Sequence, residues 1–274
     1  MKRTVESEQF FTPKNTVQKC LSAVNELYPL EDFDLIVEPS AGAGAFYELL
    51  PGNTRYGLDI APLHSEVIRQ DFLTWSPPKQ FTHILTIGNP PYGQRAALAV
   101  KFLEKACTYS SVVAFVLPRS FKKYTFQNRV PLDFHLISEF DCEDFADPSG
   151  HPLKVKSVFQ VWERRDVLRD IIETPASHPD FTMEHAHLSR VTPEKLSELQ
   201  TQFEFAIPQV GANFAPRHPK TLSKGSYWFI KPNSPGVREI FELLDFSFLD
   251  DMNTAHKSLS KRDIIQAYVN ALAD

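Results

Sequence analysis

Cysteine is scarce in this sequence, and long apolar runs are absent. The 274 residues contain three cysteines, Cys20, Cys107 and Cys142, an odd number at wide spacings. That pattern argues against a disulfide framework or a thiolate metal site and fits a reducing compartment. No apolar run reaches the length of a membrane span, and the first residues are polar rather than an apolar targeting segment. We therefore expect a soluble protein of the cytoplasm, or of the nucleus if the source is eukaryotic.

The G-x-G-x-x-G fingerprint of dinucleotide-binding proteins is also missing. The apolar strand at 35–37 is followed instead by Glu38-Pro39-Ser40-Ala41-Gly42-Ala43-Gly44-Ala45-Phe46, which we expect to open a helix running to about Leu50. Gly42 and Gly44 would let the backbone approach a ligand closely, although any tight strand–helix turn favours small residues. A carboxylate at Glu38 would repel a pyrophosphate, which argues against a dinucleotide.

Acidic residues end the next two predicted strands. Arg55–Ile60 is a short strand that carries Asp59 near its end, and Val67–Gln70 is followed by Asp71 and Phe72. Ligands of doubly wound sheets bind at the carboxyl ends of the strands, where an acid can accept hydrogen bonds from ribose hydroxyls. An ordinary turn or helix-capping role for Asp59 is the alternative.

The fourth predicted strand ends in a stiff polar corner, Thr86-Ile87-Gly88-Asn89-Pro90-Pro91-Tyr92-Gly93. The two prolines have no N–H and a fixed φ, so their carbonyls face outward as acceptors beside the Asn89 side chain. Two converging acceptors suit a planar amino group, and Tyr92 offers a flat face for its ring. Taken alone, the corner could equally be a rigid turn.

Together these stretches resemble class I S-adenosylmethionine-dependent methyltransferases of the amino-methylating group, and among them the nucleic-acid adenine-N6 methyltransferases, DNA enzymes in particular. The resemblance implies S-adenosyl-L-methionine as cofactor, with the aromatic-Thr-Pro turn at 11–13 over its methionine end, Asp59 on its ribose and Asp71 on its adenine amine. The cofactor-binding residues that it implies are Phe11, Thr12, Pro13, Glu38, Pro39, Ser40, Gly42, Gly44, Phe46, Asp59, Ile60, Asp71, Phe72 and Asn89.

The catalytic residues implied by the same resemblance are Asn89, Pro90, Pro91 and Tyr92. Hydrogen bonds from the adenine N6 to Asn89 and to the Pro90 carbonyl would favour the transition state of methyl transfer. The target base must be flipped out or single-stranded, and Tyr92 would stack on it.

The predicted fold is a Rossmann-like, doubly wound α/β sheet of seven strands, mixed because one strand near its edge is reversed. We expect helices from Thr12, as N-cap, to about Tyr28 and from about Arg95 to Thr108. The later strands are predicted at 111–117, 132–137 and 156–162. The cofactor-binding catalytic domain would span 1–163. Residues 164–274 would form a connector and a small α+β substrate-recognition module, whose last helix opens with a capping box at Ser260.

A net charge of −5 argues against a nucleic-acid partner, but the charge is unevenly distributed. Residues 119–129 and 205–238 contain no acid, and aromatic residues lie among their basic ones. Such segments can bind a phosphate backbone, although a solvated basic surface has the same composition. The residues proposed to bind nucleic acid are Arg119, Lys122, Lys123, Arg217, Lys220 and Lys224.

The sequence leaves two alternatives open. An Asn-Pro-Pro-Tyr corner also occurs in protein glutamine N5-methyltransferases, and a methyltransferase-like fold can serve as a non-catalytic binding subunit. The H-x-H pair His185 and His187 has no third ligand nearby in sequence, so we expect no metal there. No membrane partner is expected.

Overall fold

The computed structural model describes residues 12–146, 152–211, 213–249 and 258–273. The chain forms two compact units that meet in sequence between Ile172 and Glu173. The first unit extends past the predicted boundary at residue 163. This is because the segment that follows the last strand folds back and forms hydrogen bonds with residues just before the neighbouring strand. Arg165 and Arg169 donate backbone N–H bonds to the carbonyls of Asp133 (2.7 Å) and Leu132 (2.9 Å).

The first unit contains a seven-stranded sheet in the order β3-β2-β1-β4-β5-β7-β6. Strands β1 to β5 are parallel, and β7 runs antiparallel to both β5 and β6. The strands are β1 (Leu35–Glu38), β2 (Arg55–Asp59), β3 (Ile68–Arg69), β4 (Ile84–Gly88), β5 (Val112–Pro118), β6 (Phe134–Ala146) and β7 (Pro152–Arg164). The predicted doubly wound mixed sheet is confirmed, including its reversed strand next to the edge.

Helices cover both faces of this sheet, which is why β1, β4 and β5 are buried along their whole length. On one face α1 (Lys14–Leu27) contributes Val17, Leu21 and Val24 to the core. On the other face α2 (Ala97–Ala106) contributes Val100 and Leu103. A single turn, α3 (Tyr124–Gln127), follows β5.

Two helix predictions were wrong in detail. No α-helix follows the glycine stretch: the backbone there forms turns and a 3-10 helix, Tyr47–Leu49, because Gly42 and Gly44 have φ of 50° and 86° and Pro51 stops the segment. Thr12 is not the N-cap of α1, since Pro13 holds that position without a side-chain cap and the helix begins at Lys14.

The start of α2 also differs from the prediction. Arg95 and Ala96 have left-handed φ values of 51° and 61°, so the helix begins at Ala97 rather than at Arg95. Gly93, with a φ of 67°, has no room for a side chain, because a Cβ there would lie 2.8 Å from the Cβ of Leu98.

The second unit is an α+β module, as predicted. Its antiparallel sheet has the order β8-β10-β9, formed by β8 (Phe181–His187), β9 (Phe205–Pro208) and β10 (Ser226–Pro232). One face packs on α5 (Val237–Leu243) and α6 (Lys261–Ala273), and the other packs around Leu199 of α4 (Pro193–Gln202). The predicted capping box is present: Asp263 N–H donates to Ser260 Oγ, and Ser260 N–H donates to Asp263 Oδ2. No helix in the described ranges combines the length and apolar character that a membrane span requires.

Candidate functional site

A cavity of about 390 Å³ opens where the strand order of the large sheet reverses, at the carboxyl ends of β1 and β4. Chains leaving β1 and β4 diverge to opposite faces of the sheet, which leaves a crevice between them. The cavity is lined by Thr12, Glu38, Pro39, Ser40, Ala41, Gly42, Ala43, Ala45, Phe46, Asp59, Ile60, Leu63, Gln70, Asp71, Phe72, Leu73, Asn89, Pro90, Pro91, Leu98 and Phe102.

Most of the residues predicted from the sequence to bind a cofactor are therefore in one place. Pro13 and Gly44 are not among the lining residues, and Phe11 lies outside the described part of the chain. The prediction omitted several lining residues, among them Gln70, Leu63 and Phe102. Gln70 could have been recognised because it directly follows β3 and precedes Asp71, whereas nothing local distinguishes Leu63 or Phe102 from other apolar residues.

Glu38 is the most deeply buried acid of the cavity, with 2% of its surface exposed. Its Oε2 accepts a hydrogen bond of 2.7 Å from the backbone N–H of Tyr47, so the carboxyl group caps the turn that follows the glycine stretch. Burial raises the pKa of Glu38 to about 8, although the backbone N–H groups of Tyr47 and Phe46 oppose the shift. A cation entering the cavity would favour the ionised form.

Asp59 links the ends of β1 and β2. Its Oδ2 accepts from the Gly42 N–H (2.8 Å), and its Oδ1 accepts from the Ala61 N–H (2.8 Å). The turn role considered for Asp59 is thus present, and each oxygen keeps a further lone pair that can accept from a ligand. Gly42 itself has a left-handed φ of +50°, which favours glycine at this turn.

Gly44 serves packing rather than the cavity. Gly44 has a φ of +86°, and a Cβ added to it would lie 2.9 Å from Cδ2 of His64. The small residue therefore admits the His64 ring, which also packs edge-on against Tyr47. The close approach that Gly44 permits in the structure is that of the His64 side chain.

The end of β3 forms the far wall of the cavity. Asp71 is exposed, and its Oδ1 accepts from the Leu73 N–H at 2.9 Å. Phe72 is buried and stacks on Phe102 of α2, with 5.1 Å between ring centroids. A carboxylate therefore lies beside an aromatic wall, an arrangement that suits a planar heterocycle bearing an amino group.

Asn89 is held in place from two directions. Its backbone carbonyl accepts from Ser40 Oγ at 3.0 Å, and its side-chain Nδ2 donates to Thr12 Oγ1 at 3.1 Å. Its Oδ1 is buried and has no hydrogen-bond partner among the described residues. No described backbone N–H donates to the Pro90 carbonyl either. A buried acceptor without a partner is costly, so Asn89 Oδ1 marks a place where a donor would be favourable.

Tyr92 lies beside the cavity rather than in its lining. Its backbone carbonyl accepts from the N–H groups of Leu98 and Ala99 at the start of α2. Burial raises the pKa of Tyr92 above its usual range, while the neighbouring Ser157 hydroxyl opposes the shift. The side chain is half-buried and packs against the core cluster that includes α2.

The predicted basic residues fall into two groups. Arg119 and Lys122 both bind Asp141, at 2.8 Å each, and the Arg119 side chain is only 7% exposed. Lys123 is half-buried. In the second unit, by contrast, Arg217, Lys220 and Lys224 are exposed and form no ion pair with a described residue.

His185 has polar neighbours, but they do not form a set of metal ligands. Its Nε2 lies 2.9 Å from Gln209 Oε1 and 2.8 Å from Ser226 Oγ. Within the described residues, no three His, Cys, Asp or Glu side chains are placed to hold a metal ion.

Comparison with known proteins finds only distant likenesses. No family model and no curated protein matches the sequence. Among solved structures, the chain is similar to a proposed RNA methyltransferase from Pyrococcus horikoshii (16% identity, 60% of this chain and 90% of that one, TM-score 0.46). It is also similar to the 23S rRNA methyltransferase ErmE (17%, 97% and 100%, TM-score 0.41) and to the N-methyltransferase NodS from Bradyrhizobium japonicum WM9 in complex with S-adenosyl-L-homocysteine (10%, 60% and 89%, TM-score 0.40). These likenesses are too distant to carry an argument about function, which rests on the residues of this chain.

Proposed function

We propose that this protein is an S-adenosylmethionine-dependent methyltransferase that methylates the N6 amine of adenine in nucleic acid, with DNA favoured over RNA. The observation that carries the proposal is the buried Asn89 Oδ1, an acceptor without a described partner in the residue directly before Pro90. Asn89 and Pro90 both line the cavity at the reversal point of the sheet. An amino group with two N–H donors matches Asn89 Oδ1 and the Pro90 carbonyl as acceptors.

The lining of the cavity supports the choice of cofactor. It includes three carboxylates, those of Glu38, Asp59 and Asp71, and no Lys or Arg. This charge suits the ammonium and sulfonium groups and the ribose hydroxyls of S-adenosylmethionine, and it would repel the phosphates of a dinucleotide. Glu38 would face the amino-acid part, Asp59 the ribose, and Asp71 with Phe72 the adenine.

The chemistry requires little from the protein beyond positioning and hydrogen bonding. When bound, S-adenosylmethionine supplies an electrophilic methyl group on a positively charged sulfur. Asn89 Oδ1 and the Pro90 carbonyl would accept hydrogen bonds from the adenine N6 and draw its lone pair out of conjugation with the ring. These bonds strengthen as N6 becomes positive, so they stabilise the transition state more than the ground state. The bound cofactor would supply the methyl group and leave as S-adenosyl-L-homocysteine, and water would take the proton that N6 loses.

The decisive test is transfer of radiolabelled methyl groups to DNA, RNA and a release-factor-type protein, followed by analysis of the labelled product. We expect N6-methyladenine, with more label in DNA than in RNA. The Asn89→Ala variant, purified in the same way, controls for contaminating host methyltransferases and should transfer no label. Label in glutamine would replace the proposal with protein methylation, and no label in any substrate would support a non-catalytic binding subunit.

The exposed basic residues Arg217, Lys220 and Lys224 are proposed to bind the nucleic-acid backbone. If each neutralises one phosphate, changing all three to Ala should reduce the slope of log affinity against log salt by about 2 to 3 on duplex DNA. The reduction should not depend on the sequence bound. Fluorescence anisotropy of a labelled oligonucleotide across a salt series measures the slope.

A charge-matched variant separates position from net charge. Lys14, Lys79 and Lys101 are also exposed, and all lie in the first unit. Changing these three to Ala removes the same charge and should leave the slope unchanged. If the slope of log affinity against log salt is the same in the two triple variants, the basic residues of 217–224 belong to an ordinary solvated surface.

A further inference from the structure

The loop that links the Asn89 corner to α2 has an unusual backbone. It contains the only two non-glycine residues with a positive φ in the described part of the chain, Arg95 (51°) and Ala96 (61°). A left-handed backbone is unfavourable for a residue with a Cβ, and such residues are concentrated at functional sites. Packing accounts for Ala96, whose side chain is 7% exposed and belongs to the core on the α2 face of the sheet. No comparable contact accounts for Arg95.

The Arg95 side chain is exposed and forms no hydrogen bond, ion pair or ring contact with a described residue. Its backbone, by contrast, is held in a tight turn. The Ala96 N–H donates to the Gly93 carbonyl at 3.2 Å, and the Leu98 N–H donates to the Tyr92 carbonyl at 3.1 Å. A fixed backbone therefore presents a charged side chain that is available to a ligand.

This loop begins and ends at the cavity, because Pro91 before it and Leu98 after it are both lining residues. Arg95 is three residues from Leu98, so the two Cα atoms lie within about 11 Å of each other. The lining contains carboxylates but no Lys or Arg, and the segments 39–54 and 60–67, which follow β1 and β2, contain no Lys or Arg either. Arg95 thus places a positive charge close to an otherwise acidic cavity.

A second arginine near the cavity is already engaged. Arg69 is exposed at the end of β3, and its Nη1 donates to the Ile60 carbonyl at 3.3 Å. Arg95 differs from Arg69 in two respects: it follows the Asn89 corner directly in the chain, and it has no described acceptor.

We infer that Arg95 binds a phosphate next to the target adenine, so that the site selects a nucleotide over a free nucleoside or a protein amide. The inference rests on the proposed function and names the part of the substrate that is recognised beside the corner. When the base enters the cavity, its phosphates stay at the mouth, where the carboxylates of the lining would repel them. A guanidinium at that position offsets the repulsion and matches the geometry of phosphate oxygens.

The test compares the binding of 2′-deoxyadenosine with that of its 5′- and 3′-monophosphates, measured by NMR titration of the full chain. Saturating S-adenosylhomocysteine keeps these ligands out of the cofactor site. We expect the wild-type protein to bind at least one monophosphate about fivefold more tightly than the nucleoside, the upper range for one exposed ion pair. Arg95→Gln should abolish this preference, and Arg95→Lys should retain most of it.

Two controls separate a phosphate contact from general charge and from a structural role. Lys101 is exposed on α2, and Lys101→Gln removes the same charge six positions away, so it should leave the preference unchanged. Arg95→Gln should match the wild-type protein in urea denaturation, because its side chain contacts no described residue. A clear loss of stability would make Arg95 a structural residue and overturn the inference.

Failure of this inference and failure of the proposed function give different results. No preference for a monophosphate in the wild-type protein, an unchanged preference in Arg95→Gln, or an equal loss in Lys101→Gln would overturn the inference and leave adenine methylation standing wherever label enters nucleic acid. A preference lost only in Arg95→Gln, in a protein that transfers no label, would support the phosphate site and remove the proposed reaction.

Discussion

Replacing the buried Glu38 by glutamine should change how stability depends on pH. Burial raises the pKa of this carboxyl to about 8 in the folded protein, from an ordinary value of 4.5. Between these values the folded state binds a proton that the unfolded state has lost, so stability falls as pH rises through this window. Glutamine keeps an acceptor for the Tyr47 N–H but cannot ionise.

The magnitude follows from the two pKa values. One pKa unit corresponds to about 1.36 kcal/mol, so the full window gives an upper limit of about 5 kcal/mol. That amount is comparable with the whole stability of an ordinary domain. Relative to Glu38→Gln, the wild-type protein should therefore lose several kcal/mol of stability between pH 5 and pH 8.

Urea denaturation of the ligand-free protein from pH 5 to pH 9 measures this difference. Other titrating groups are common to both proteins and cancel when the curves are subtracted. Glu26→Gln, an exposed acid on α1, is the matched control and should not alter the shape of the wild-type curve. A wild-type-minus-Glu38→Gln difference that stays constant from pH 5 to pH 9 would refute the reasoning, because the carboxyl would then be titrating equally in both states.

Three further predictions concern binding and stability. Asp59→Ala should weaken S-adenosylhomocysteine binding at least tenfold in calorimetry, because the ribose hydroxyls and the Gly42 N–H lose a charged acceptor; unchanged affinity would place the cofactor elsewhere. Gly44→Ala should cost about 1–3 kcal/mol in chemical denaturation, since its φ is +86° and the new Cβ meets the His64 ring, and adding His64→Ala should recover part of that loss. Phe229→Ala, in the fully buried core of the second unit, should cost about 3–5 kcal/mol, and a loss below 1 kcal/mol would contradict that packing.

The strands of the large sheet could be predicted from the sequence because burial on both faces leaves a local signal. Short runs such as Val112–Pro118 are apolar throughout, and a polar residue or a proline marks where each one ends. Strands β1 to β4 are parallel, so their carboxyl ends lie at the same edge of the sheet. The lining of the cavity by Asp59, Asp71 and Asn89 follows from that arrangement.

Charge pairing could not be predicted in this way. The sequence shows Arg119 and Lys122 in an acid-free segment, but their partner Asp141 lies on β6 and approaches only when β6 pairs with β7. A run of basic residues therefore cannot distinguish an open surface from a set of buried ion pairs. The exposed residues of 217–224 have the same kind of sequence and no described ion-pair partner.

The sequence by itself determined which residues could meet at the candidate site: the corner at Asn89, the acids that end two strands and the Thr-Pro turn. Only the tertiary structure decided how they are connected. Thr12 and Asn89 are 77 positions apart, and their hydrogen bond forms because the turn before α1 lies against the end of β4. Gly44 lies outside the cavity lining, and the His64 ring packs beside it. Such contacts depend on side-chain packing between distant segments, and packing leaves no local pattern in the chain.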